Sequence, residues 1–392
     1  MLPTNESAKK LRHILEDQRL SQLVYSLSIR ASLECDSGGN ETPVASWDCE
    51  DEEDPEWDND EADEHHAIDS TGEVSAAFKK LLEAIGLFPK LRCIEIIYDH
   101  QVSGPSESHM GFNDDARESM DYRDTFFRKV LSALNHPDHP VRNLGTLSIV
   151  NLQDKVNVDI ATSPDFKAVL SRLESLNLCI ASETHEPAPE HAIDIQERHD
   201  FYSRDLQRYW LEPLQDFGQL TKLKLYGSIP WGYLPACDLR GLHFPKLTSL
   251  CLGHMTFTHD WQLDWILSHG NTLRSLILDN CPIIADADID YKLDAKGYPI
   301  LDHRRGTSRG RCHVTTWVYQ SRWHEYFEKF RTVLPHLRHF AIGHGPWDYC
   351  CGNDQVSSAF ADAESLPLQL IAGRYCFLSR CVLIGKSNKT SN

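Results

Sequence analysis

The chain has 392 residues, 41% of them hydrophobic, enough to bury a sizeable core in one large domain or in a repeat array. A net charge of -19 repels a phosphate backbone and argues against nucleic acid as the main partner. No stretch reaches the roughly 18 consecutive apolar residues that cross a bilayer, and the polar, charged Met1 to Gln18 has no apolar signal core, so neither membrane nor export is expected.

In chain order, the first apolar triplet is Val24/Leu27/Ile29, followed by a run from Asp48 to Glu64 with 12 acidic residues and no Lys or Arg. Without those twelve the other 375 residues carry only -7, so residues 35–72 read as an acidic, solvated, disordered insertion. Helical spacing in Phe78, Leu81, Leu82 and Ile85 precedes the triplet Leu91/Ile94/Ile96, and after the polar segment Gln101 to Arg117 it returns in Phe126, Phe127, Val130, Leu131 and Leu134. Clearer triplets of the form Leu-x-x-Leu-x-Leu stand at Leu144/Leu147/Ile149 and Leu173/Leu176/Leu178. Residues 181–205 read as an inserted loop. Three more triplets follow at Leu220/Leu223/Leu225, Leu247/Leu250/Leu252 and Leu273/Leu276/Leu278, with Trp261, Trp265 and Ile266 at helical spacing between the last two. Residues 286–315, which carry Arg304, Arg305, Arg309 and Arg311, read as a second inserted loop. Trp323, Tyr326, Phe327 and Phe330 then precede the triplet Leu337/Phe340/Ile342, and residues 386–392 read as a flexible tail.

Spacing gives the triplets their meaning. Their first residues advance by 29 (144 to 173), 27 (220 to 247) and 26 (247 to 273), within the leucine-rich-repeat period of roughly 20 to 29 residues. Each unit is a strand and a helix, and Pro89, Pro245 and Pro335 fall two residues before a strand-opening Leu, where the helix must have ended. The expected architecture is an α/β, irregular leucine-rich-repeat solenoid spanning 1–392, a horseshoe with a parallel sheet on its concave face, helices on its convex face and long inserted loops.

The triplet leucines point into such a stack and the residues between them point out, on the concave face. The outward residues Lys222, Lys224, Tyr226, His254, Asp279 and His344 are therefore the candidate partner-binding set. They are mixed in sign and type, which suits a particular protein surface better than a polyanion or polycation. Trp231 and Trp347 follow prolines in turn-like sequence and are candidate exposed aromatic anchors, with core packing as the alternative.

Catalytic motifs are missing: there is no Gly-x-Ser-x-Gly elbow, no phosphate-cradling glycine loop and no His-Glu-x-x-His pair. The chain holds 20 histidines and 12 cysteines. His136/His139, His254/His259 and His336/His339 are close, yet no Cys-x-x-Cys accompanies them and Cys350 and Cys351 are adjacent, a poor chelating arrangement. No metal, no cofactor and no enzymatic activity are expected. The cysteines are dilute, and Cys93, Cys179 and Cys251 sit inside apolar runs, so they read as reduced, buried small side chains of a cytosolic or nuclear protein.

The stretch Asp238-Leu-Arg-Gly-Leu-His-Phe-Pro-Lys-Leu-Thr-Ser-Leu-Cys-Leu-Gly-His-Met, continuing to His269, resembles fungal proteins with an F-box followed by irregular leucine-rich repeats. Asn271 to Ile283 and Leu15 to Ile29 extend the resemblance over about 250 residues. It implies a non-catalytic protein-interaction module like the substrate-recognition part of an F-box ubiquitin-ligase subunit, and a monomer is expected. The chain departs from the family at its start, where Leu2-Pro3 is followed by Thr-Asn-Glu-Ser and not by F-box helices. A Skp-type adaptor is therefore an expected partner only if an F-box lies upstream. An orphan structural or scaffold repeat protein is the alternative, and a metal-dependent enzyme built on His and Cys the third reading.

Overall fold

The computed structural model describes residues 5–31, 76–99, 118–182, 196–289, 291–300, 314–343 and the backbone of 381–383. In chain order, α1 (Asn5–Glu16) and α2 (Gln18–Ser21) lead into β1 (Ser26–Arg30). Then come α3 (Ala76–Ile85), β2 (Cys93–Ile97), α4 (Met120–Leu134), β3 (Thr146–Gln153), α5 (Val158–Ala161), α6 (Pro164–Leu170) and β4 (Ser175–Ala181). Next are α7 (Gln196–Asp200), a π-helical stretch Phe201–Leu211, α8 (Glu212–Phe217), β5 (Lys222–Trp231), β6 (Ser249–Met255), α9 (Asp260–Leu267) and β7 (Ser275–Asp279). The short strands β8 (Asp286–Ile289), β9 (Lys292–Leu293), β10 (Pro299–Ile300) and β11 (Thr315–Val318) precede α10 (Trp323–Val333), β12 (His339–Gly343) and β13 (Cys381–Leu383).

Eight strands form one open sheet in the order β1-β2-β3-β4-β5-β6-β7-β12, and every neighbouring pair is parallel. The triplets set the register. Leu27, Ile94, Leu147, Leu176, Leu223, Leu250, Leu276 and Phe340 lie side by side across the sheet, and Ile29, Ile96, Ile149, Leu178, Leu225, Leu252, Leu278 and Ile342 form a second row two residues on. Because side chains alternate along a strand, both rows point to one face. Helix residues such as Phe78, Phe126, Val130, Phe166, Leu263 and Phe330 join the rows from β1 to β7 in one continuous core. No strand buries its leucines alone; each row residue fills the space between its neighbours and the helices, at roughly 1.5 to 3 kcal/mol per buried side chain.

Local chemistry starts and stops these elements. Ser119 and Ser163 cap α4 and α6 by accepting from the backbone N–H of Tyr122 and Phe166, and Pro164 opens α6 where no donor is needed. Gly218 ends α8 in the left-handed region, φ 62°. Asn151, His254 and Asn280 also have positive φ (60°, 60° and 48°), each one residue past a row position on the second face, so the chain bends at the same point within β3 and β6 and just past β7. There the Cys281 thiol donates to Leu252 O at 3.3 Å, tying one unit to the preceding one.

Two segments expected as loops carry structure. Within 181–205, residues from Gln196 onward are helical, and the π-helical stretch buries Phe201, Leu206 and Leu211 in the core. Within 286–315, β9 and β10 form an antiparallel hairpin, while β8 pairs antiparallel with β11 and parallel with β13 in a small separate sheet. The acidic run, Arg304 to Arg311 and the tail lie outside the described residues. Among those described, no helix is long and apolar enough to cross a membrane.

Candidate functional site

The face of the sheet turned away from the leucine core carries two rows of its own. One runs Ser28, Glu95, Ser148, Asn177, Lys224, Cys251, Ile277 and Ala341; the other contains Arg30, Ile97 and Val150 and, past a register shift in β3, Cys179, Tyr226, Gly253, Asp279 and Gly343. The character changes along the array, from hydroxyl, carboxylate and amide at β1 to β4 to thiol and aliphatic at β6 to β12. Glu95 accepts from Ser28 Oγ at 2.8 Å, and partial burial raises its carboxyl above the usual range against the hydrogen bonds from Ser28 and Ser148.

Burial divides the candidate partner-binding residues. Lys222 is exposed and His254 half-buried, but Lys224, Tyr226 and Asp279 are 7%, 1% and 0% accessible. Alternation places them on the expected face, yet an incoming surface does not meet these three as exposed side chains. Tyr226 lies flat over Gly253, where an added Cβ would sit 2.0 Å from the ring, so only glycine allows this close approach. Tyr226, Val150, Cys179, Cys251 and Ile277 form a small apolar cluster separate from the main core. His344 and Trp347 lie outside the described residues. Trp231 is buried: it donates Nε1–H to Gly253 O at 2.7 Å and stacks on Tyr202 with ring centres 5.7 Å apart, so of its two readings packing is the one realised. The accessible polar groups of this face include Ser26, Ser28, Arg30, Glu95 and Asn177, with Lys222 and His339 along its rim.

Two assemblies escaped the sequence reading. At the carboxyl ends of β2 to β4, Arg123 bonds Glu118 (Nε to Oε2, 2.8 Å) and the carbonyls of Asp99 and Asn151, and its guanidinium packs over the Tyr98 ring. Gln153 bonds Asp154, which pairs with Arg198 at 2.9 Å. Every charged partner here is buried, and no composition or spacing signal links residues so far apart in sequence. The second assembly joins the small sheet to the body: His259 is stacked between Tyr298 and Trp317, with centres 4.5 and 4.8 Å away. Its Nε2 contacts Lys296 O and its Nδ1 contacts Thr258 Oγ1, so both nitrogens already have partners. Among the described residues no three His, Cys, Asp or Glu side chains converge as metal ligands.

His269 is a structural histidine with a measurable consequence. Its Nε2 accepts from Phe244 N–H and its Nδ1–H donates to Trp265 O, and burial, followed by the neighbouring His243, lowers its pKa to about 4. The unfolded chain takes up this proton near pH 6.5 and the folded one only near 4, so the stabilisation is complete above 6.5 and is lost as pH falls between the two values. The expected loss from this group is about 3 kcal/mol. Urea unfolding at pH 7 and pH 4.5 checks it: stability of His269→Asn should fall by less over that range than that of the parent protein, and parallel pH profiles would refute the assignment.

The fold and this surface define an α/β protein built on an open, sequentially ordered parallel sheet, with a helix-covered core on one face and a mixed polar face opposite. No protein-family model matches the sequence, and no curated protein matches it either.

Proposed function

We propose that the chain is a leucine-rich-repeat horseshoe whose second sheet face is concave, and that it acts without catalysis as a protein-binding module, in the manner of the substrate-recognition part of an F-box ubiquitin-ligase subunit. The observation that carries this reading is the strand-by-strand alignment of the triplets, which puts the triplet side chains on the core face and leaves partly accessible polar groups on the opposite face at β1, β2 and β4. Sequence order equals spatial order over all eight strands, as stacked repeats require. On that face the hydroxyl, carboxylate and amide groups of β1 to β4, bordered by Lys222, offer directional contacts of both signs, suited to one protein partner. The partner is a protein met in the cytosol or nucleus, and this chain meets it as a monomer.

Affinity purification with quantitative mass spectrometry tests the proposal. Co-purification of a Skp-type adaptor and a cullin supports the ligase role, and stable partners without them support a scaffold role. For the surface itself, Glu95→Lys with Lys222→Glu should weaken capture of the dominant partner roughly 10-fold or more. Undiminished capture by the folded variant would exclude this face.

A further inference from the structure

All eight strands of the parallel sheet are entered at the same end, and the backbone there forms a ladder of its own. Arg92 O accepts from Gly145 N–H and Thr146 N–H, both at 2.9 Å, and Arg274 O accepts from Arg338 N–H at 2.8 Å and His339 N–H at 3.0 Å. The residues just before the strands are thereby held in one file, each about 4.8 Å from the next.

Charge along this file is one-sided. Strands β2, β3, β5, β6, β7 and β12 are entered through Arg92, Arg142, Lys222, Lys246, Arg274 and Arg338, all exposed. At β4 the file is interrupted: Arg172 is half-buried and bonds Val141 O and Asn135 Oδ1. Exposed Glu174 is the single carboxylate in the entry segments 88–93, 141–146, 171–175, 218–222, 243–249, 270–275 and 335–339. That bias runs against a chain with 58 Asp and Glu and 39 Lys and Arg. Among the described residues, Arg92, Arg142, Arg274 and Arg338 form no ion pair, and Lys246 bonds the neutral Gln219. Arg274 and Arg338 are direct neighbours in the ladder, where like charges destabilise a sheet. The fold keeps this repulsion at a surface that contributes nothing to the core.

We propose that the strand-entry rim binds an acidic segment of a partner protein, laid across the strands from β2 to β12; the proposal deepens the protein-binding reading given above and rests on it. Six strand spacings are about 29 Å, the length of an extended segment of about nine residues. A longer polyanion such as nucleic acid would run past the rim onto a body of net charge -19, whereas a short acidic segment ends with the cations. The chain's own acidic run, residues 48–64, is tethered at Ala31, past the exit of β1, and at Ala76, where α3 starts back toward β2. Both tethers lie at the other end of the strands, so a partner's segment reaches the rim more directly.

Fluorescence anisotropy of a labelled oligoglutamate peptide of about nine residues, titrated with the full chain, tests the rim. The peptide should bind, its affinity should fall as salt rises from about 50 to 300 mM, and an oligoglutamine peptide of equal length should not bind. Arg274→Glu with Arg338→Glu should weaken binding roughly 10-fold or more, and Arg274→Gln with Arg338→Gln should weaken it less. Lys329→Glu, at an exposed position of α10, should leave binding unchanged. No binding, or an equal loss in Lys329→Glu, overturns the proposal. Tighter binding of a single-stranded oligonucleotide of equal length, or of vesicles with anionic headgroups, also overturns it. So does peptide binding that appears only once the carboxylates of 48–64 are changed to amides, because the chain's own run would then be the occupant. Partner capture through Glu95 is a separate readout, so failure of the rim and failure of the binding role are distinguishable.

Discussion

Replacing Arg123 with Ala is expected to lower stability by about 3 to 5 kcal/mol, because it strands a buried carboxylate. Glu118 is 0% accessible and Arg123 is 4%. The guanidinium also serves the Asp99 and Asn151 carbonyls, so one side chain joins the end of β2, the start of α4 and the bend within β3. Deleting it removes the neutralising charge and the hydrogen bonds to Glu118, Asp99, Asn151 and Gln153 at once, while the Asp99 N–H to Glu118 contact remains. The double variant Arg123→Met, Glu118→Gln should recover much of the loss, since a buried ion pair replaced by neutral groups of similar size costs far less than a broken one. Urea titrations at pH 7 measure both. A loss below about 1 kcal/mol for Arg123→Ala would mean that water reaches the pair.

The core was more legible in the sequence than the surface. Leu-x-x-Leu-x-Leu fixes which residues of a strand face the helices, and the 26 to 29 residue period fixes which residues become neighbours, so Leu223, Leu250 and Leu276 could be aligned from sequence alone. Alternation also put Lys224, Tyr226 and Asp279 on the correct face. It could not give their burial, because period two names a face and not what lies against it. Residues 196–205, the end of the segment read as an inserted loop, were misread for a different reason. The π-helical stretch that starts at Phe201 buries Phe201, Tyr202, Asp205, Leu206, Gln207, Trp210 and Leu211, and the polar Asp205 and Gln207 among them blur any strand or α-helix period. The Glu118, Arg123, Asp154 and Arg198 network was invisible because each residue, read locally, is an ordinary charged residue of a helix start or strand end. Only the fold brings Asp154 to Arg198, 44 positions away.

Leu250→Ala is expected to destabilise the protein by about 2 to 5 kcal/mol. Leu250 is fully buried between Leu223 on β5 and Leu276 on β7, in a row where each side chain is held by the units before and after it. The cavity opened there is walled by strands whose spacing is fixed by backbone hydrogen bonds, so collapse is limited and the loss should lie toward the upper part of that range. Leu23→Ala, at an exposed leucine ahead of β1, is the matched control and should change stability by no more than about 0.5 kcal/mol. Leu276→Ala should resemble Leu250→Ala, and the double variant should depart from additivity by about 0.5 kcal/mol or more, because both side chains border the same space. Additive losses would mean that the units pack independently. No loss for either single variant would contradict a core shared between adjacent strands, the arrangement on which the proposed binding role rests.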